Sequence, residues 1–189
     1  MNTRRILGMS LLLWLASMGL PARDRTESLA GLAGRSSHVA LVRCAEAAPV
    51  TPVSNGLVYT RYILEVQEQI AGTGLAGRVT LRVVGGTAGN IRVTVPDAPR
   101  FKENGIYLVM LRPAGSGRHL LVTGAAGGVW PARRNKTTSN WEVEVPRRLL
   151  GRDGEKMNEP SARPIAAPGA GVWLELAAVR QLIASSDGR

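Results

Sequence analysis

Between residues 57 and 111 apolar side chains recur at every second position, and glycine and proline cut the pattern into short lengths. In an extended chain successive side chains point to opposite faces, so this alternation specifies strands with a buried side. Leu57 to Ile70 is the clearest case. Val58, Thr60, Tyr62, Leu64, Val66, Glu68 and Ile70 form a largely apolar set, and that set is expected to face a core. Arg78–Val84 follows, with Val79, Leu81 and Val83 on one side. Gly85 to Asn90 reads as a wide glycine loop. Ile91–Val95 alternates again, with its apolar residues expected inward and Arg92 and Thr94 outward. Pro96 and Pro99 end it, because proline cannot donate to a ladder. Ile106 to Leu111 is apolar without interruption, which marks a central strand.

Beyond this stretch, Pro113 to Gly117 turns the chain and His119 to Thr123 returns it. Val129–Trp130 and Trp141–Val145 read as two arms of a hairpin, with Arg133 to Asn140 as its polar tip. Residues 39–145 thus hold about eight short strands, the pattern of a small barrel or sandwich. Before them, residues 24–36 are weakly helical. Leu29, Leu32 and Ala33 share a face there, and Asp24 or Thr26 is placed to cap it. Residues 146–170 are rich in proline, glycine and charge and read as a loop. Trp173 to Ser186 carries Leu176, Val179 and Ile183 at helical spacing, flanked by Trp173 and Leu182, and predicts a helix.

The N-terminus reads as an address. Arg4 and Arg5 precede an apolar run from Ile6 to Leu15, and the small residues Ala16, Ser17, Gly19 and Ala22 follow. The run is shorter than the ~20 residues a spanning helix needs, so residues 1–22 are expected to be a signal peptide, cleaved after Ala22 or Gly19. An uncleaved anchor is the alternative. Thr3-Arg4-Arg5-Ile6-Leu7 loosely matches a twin-arginine signal, but the strongly apolar run favours the general secretion route. Cleavage after Ala22 removes two of the 24 basic residues and none of the 14 acids, so the exported chain keeps a net charge of +8. Export to the periplasm or beyond implies an oxidising compartment. The single cysteine, Cys44, permits no intramolecular disulfide, and its apolar surroundings mark it as a small core residue.

Residues for chemistry are scarce. His38 and His119 are the only imidazoles, and no Gly-x-Ser-x-Gly elbow places a serine beside them. One cysteine and two distant histidines do not make a zinc site, and isolated aspartates do not make a calcium loop. Glu142 and Glu144 share a strand face, as solvated pairs do. The Gly85–Asn90 run opens a strand, whereas a phosphate-binding loop opens a helix. No cofactor or metal is therefore expected.

The basic residues carry the one candidate surface. Arg133, Arg134 and Lys136 crowd the hairpin tip between Trp130 and Trp141, and Arg147 and Arg148 follow. Cations beside aromatics can bind nucleic acid by phosphate attraction and base stacking. In an exported chain that points to an unknown protein or an anionic envelope polymer, and away from nucleic acid. Solubility alone is the alternative reading of the charge, and core or cross-strand packing that of the tryptophans. Asn135-Lys136-Thr137 is also a glycosylation sequon.

One stretch resembles a group of bacterial exported proteins of unknown function. Tyr59-Thr60 to Val66, Ile70-Ala71-Gly72, Gly85-Gly86, Ala98-Pro99-Arg100-Phe101, Gly105 and Tyr107–Leu111 carry the resemblance, which ends in Val122-Thr123-Gly124 and Gly127. It covers roughly residues 28 to 130, with Ala71 where the pattern has a basic residue. It implies a small β-barrel similar to the oligonucleotide-binding fold, reminiscent of netrin-like and metalloprotease-inhibitor domains. It supplies no catalytic residues. The N-terminal cysteine and the disulfides on which the inhibitor domains rely are absent here, so that likeness is one of fold. Phe101, the only phenylalanine, is expected to plug one end of the barrel.

The expected architecture is mainly β: a closed or partly open antiparallel barrel over 23–145, a loop over 146–170, and a helix over 171–189 packed on the barrel. The expected function is an exported, non-catalytic binding or accessory module acting through barrel loops and the basic hairpin. The alternatives are a secreted hydrolase with a site near His119 or His38, and a modulator of an exported protease.

Overall fold

A computed structural model of the chain describes residues 28–50, 57–115, 117, 119–150 and 171–185. The signal segment, the two expected helix-capping residues Asp24 and Thr26, and most of the 146–170 loop lie outside these. Among the described residues no helix is long and apolar enough to cross a membrane.

The fold is mainly β. A six-residue helix, α1 (Leu29–Gly34), opens it, capped by the Ser28 hydroxyl on the Gly31 amide at 3.0 Å. Two long strands follow, β1 (His38–Val50) and β2 (Tyr59–Ala71), paired antiparallel along their length. Three irregularities interrupt their register, the last leaving Ala45 unopposed between Cys44 and Glu46. Each such bulge bends and twists the pair. β3 (Arg78–Val84) continues the sheet along the first half of β2, as the alternation specifies.

The glycine run folds differently from its reading as a loop. Gly86–Ala88 is a strand, β4, and it pairs with β5 (Ile91–Val93) across a turn at Gly89-Asn90. The two form a ladder of their own, apart from the main sheet. With no sheet beneath it, Ile91 is 46% exposed, contrary to the inward orientation expected of it.

β6 (Ile106–Pro113) is central, as its unbroken apolar run requires. One edge pairs with β1; the other pairs with β7 (Leu120–Val122) and β8 (Val129–Arg134) in succession, with a short 3-10 turn at Ala125–Gly128 between them. β8 and β9 (Trp141–Val145) form the expected hairpin, with Arg133 and Arg134 inside β8 rather than at the tip. The reading of 146–170 as loop is corrected at its start, where Arg147–Leu150 forms a single helical turn, α2, that buries Leu149. The C-terminal helix is shorter than its apolar stripe suggests. Val172–Glu175 forms strand β10 on β9, and the helix α3 spans Leu176–Ala184. Trp173 is therefore a strand residue, as suits an aromatic between Val172 and Leu174.

The main sheet runs β10-β9-β8-β6-β1-β2-β3. β3 comes alongside β7, yet no ladder joins them, so hydrogen bonding does not close the sheet into a barrel. Both of its faces are covered. On one, α1 and α3 pack Leu29, Leu32, Val179 and Ile183 against Val39, Leu41, Leu108, Met110 and Trp130. On the other, the bent sheet encloses Ala40, Val42, Cys44, Tyr62, Leu64, Leu81, Phe101, Val109 and Leu111. Alternate residues of β1 and β6 thus serve opposite cores, which is why Val39–Val42 and Leu108–Leu111 are unbroken apolar runs.

Candidate functional site

The basic hairpin is tied down by its own side chains. Arg133 donates to Glu142 at 2.9 Å, and its guanidinium lies 3.9 Å from the centre of the Trp173 ring. Arg134 lies 4.3 Å over Trp141 and donates to the Ser139 carbonyl at 2.7 Å. Asn135 donates to the second Glu142 oxygen at 2.6 Å, and its own carbonyl accepts from the Thr137 and Thr138 amides. Burial pushes the Glu142 carboxyl up, but the Asn135 and Arg133 hydrogen bonds more than reverse this, and it sits below the usual carboxylate range.

The other residues of the sequence-based surface are dispersed. Trp130 is 1% exposed in the helix-side core, its indole N–H on the Gly127 carbonyl at 2.7 Å. Arg147 and Arg148 are exposed but lie beyond the far end of β9, roughly 16 Å of strand from the tip. Lys136 is exposed at the tip and forms no ion pair among the described residues.

A second site gathers residues that no single pattern joins. A cavity of about 430 Å³ lies between the end of β3, the β4–β5 ladder and the segment 98–102. Its aromatic end is a run of edge-on rings. Phe101, 6% exposed, has its centroid 4.9 Å from Tyr62 and 5.2 Å from Tyr107. Val83, Val93, Val95 and Pro99 add apolar wall. Arg92, Arg100 and Lys102 also line it, all three exposed, and among the described residues no carboxylate does.

The backbone holds this arrangement at two close approaches. Gly86 has φ +132°, and a Cβ there would lie 2.4 Å from the Thr60 hydroxyl, which itself donates to the Gly85 carbonyl at 2.8 Å. Only glycine lets the chain leave β3 flat against β2 at this point. Gly105 follows Asn104, which sits at φ +61°, and a Cβ there would lie 2.6 Å from the Tyr107 hydroxyl. That hydroxyl oxygen accepts the Lys102 amide at 2.8 Å. Burial pushes the Tyr62 phenol up, so it stays protonated over a wider pH range than a free tyrosine.

Gly85-Gly86, Pro99-Arg100-Phe101 and Tyr107, quoted above for the family resemblance, all line this one cavity. Sequence reading missed the site: it left Arg92 on the outward face of a strand and gave Arg100 and Lys102 no role. The signal was the glycine pair followed by Pro99-Arg100-Phe101, but its meeting point depends on β4–β5 leaving the main sheet. A neighbouring hollow of about 370 Å³ lies at the β3–β7 seam, on the other side of the 95–99 segment.

Neither imidazole is bonded to a serine, threonine or cysteine among the described residues. His38 sits opposite Leu111, and its Nδ1 is buried without a partner. His119 is exposed after the β6–β7 turn. Cys44 is fully buried, and desolvation pushes its thiol up, away from the reactive thiolate. Among the described residues no group of three metal-ligating side chains comes together. No protein-family model, curated protein or solved structure matches the chain.

Proposed function

We propose that the chain is an exported, non-catalytic binding module, a partly open relative of the oligonucleotide-binding barrel, that holds an anionic partner in the cleft beside Phe101. The observation that carries this reading is the lining by the described residues: three cations, no carboxylate and an aromatic floor around one cavity. Cavities of this size with an apolar lining and a few convergent polar groups are the usual form of a ligand site. Five arginines elsewhere on the molecule are matched by acids, while Arg82, Arg112, Arg134, Arg147 and Arg148 form no ion pair among the described residues. Arg61 pairs with Glu46, Arg43 and Arg78 with Glu65, Arg180 with Glu68, and Arg133 with Glu142. Arg92, Arg100 and Lys102 have no such acid among the described residues, so their attraction is available to a partner.

Retention on polyglutamate resin tests this. The full chain is expected to bind at low salt and to elute as salt screens the contact. The triple variant Arg92→Glu, Arg100→Glu, Lys102→Glu is expected to lose retention. A control triple with the same net charge, Lys136→Glu, Arg147→Glu, Arg148→Glu, is expected to keep most of it. Equal loss in both triples would reduce the effect to overall charge, and loss in the control alone would move the site to the hairpin side.

A further inference from the structure

We infer that the cleft is shaped for a small amphipathic anion, one acidic group carried on an apolar body. This rests on the cleft reading above and narrows it. The cavity, at about 430 Å³, has small-molecule dimensions. Its polarity is graded. Arg92, Arg100 and Lys102 are all exposed, so their charged groups mark the wet side, whereas Phe101 is nearly closed off from water between Tyr62 and Tyr107.

Each half of the lining is left unused by a simpler occupant. A polyanion lying across the cations has no use for the rings, which give it no charge to pair with. A neutral apolar molecule has no use for three cations with no acid between them. An anion with an apolar body satisfies both, its head among the cations and its body against Phe101. The Tyr107 hydroxyl adds to the fit. Its oxygen already accepts the Lys102 amide, so what it offers a ligand is its hydrogen, a donor suited to an anionic head. A carboxylate and a phosphate monoester share this chemistry.

Calorimetric titration of the full chain below the micelle concentration separates the possibilities. The probes are decanoate, decyl phosphate, decanol, decylammonium and acetate. At least one of the two amphipathic anions is expected to bind saturably, tenfold or more tighter than decanol, decylammonium and acetate, and the stronger of the two identifies the head group. The exposed-site variant Arg100→Gln is expected to weaken that anion about tenfold and to leave decanol unchanged. Decanol binding as tightly as the anions would show an apolar hollow alone. Acetate binding as tightly would show a cationic patch alone. Either result overturns the inference, as does saturable binding by neither anion. If that last result comes with intact, cleft-dependent retention on polyglutamate, only the ligand class is wrong. If that retention is also absent, the cleft reading itself fails.

Discussion

Phe101 serves the core and the cleft at once: its ring closes the inner core and is the floor of the cleft. Phe101→Ala is expected to cost about 3–5 kcal/mol, the usual range for emptying a buried phenylalanine site, measured as a shift in the urea unfolding midpoint at constant slope. A midpoint equal to wild type would show that the ring contributes no core energy. Phe101 and Cys44 were legible from sequence because each has a local cue, a lone aromatic after a proline bend and a thiol in an apolar run. Trp130 and Arg92 were not. A tryptophan beside arginines looks the same in sequence whether its ring faces the core or the solvent, and here the Leu108 pairing directs it inward. Arg92 sits in a strand of correct period, but in a ladder that leaves the main sheet.

Among the elements, the β8–β9 hairpin shows how a charged strand pair is held. Glu142, with its side chain 14% exposed, accepts from both Arg133 and Asn135. Its carboxyl lies below the usual range, so the folded chain favours the ionised form more than the unfolded chain does. The resulting stability is complete above the ordinary glutamate pKa of about 4.3 and is lost as pH falls through the lower folded value. Glu142→Gln is expected to lower stability by about 1 kcal/mol at neutral pH, a modest figure because Arg133 is half exposed. It is also expected to flatten the acid side of a melting temperature against pH curve; an unchanged acid limb would rule out this linkage. Strand periods were readable for β2 and β3, and β6 was readable from its unbroken apolar run. Those of β4 and β10 were not, since a glycine-rich strand lacks a side-chain pattern and a strand leading straight into a helix shares its apolar stripe.

For the whole molecule, the decisive arrangement is a sheet covered on both faces. β10 and α3 supply Leu174, Leu176, Val179 and Ile183 to the helix-side core. Burial of each is worth about 1.5–3 kcal/mol, and together they rival the 5–15 kcal/mol by which a typical domain is stable. A chain ending at residue 170 is therefore expected to lose its cooperative thermal transition, seen by calorimetry. A sharp transition retained in the truncated chain would show that the inner core folds alone. The mainly β character and the positions of β2, β3 and β6 follow from sequence; the order in which the strands pair and the open seam between β3 and β7 do not, because pairing and closure depend on accumulated bend rather than on any local run of residues.

β1 and β6 act as a party wall, with Val39, Leu41, Leu108 and Met110 furnishing one room and Ala40, Val42, Val109 and Leu111 the other. Side chains of both rooms rest on that one partition. An occupant pushing on Phe101 leans on the same two strands that carry the terminal helices, so filling the hollow would stiffen the far side of the molecule, and amide protons there would report what arrives at the mouth.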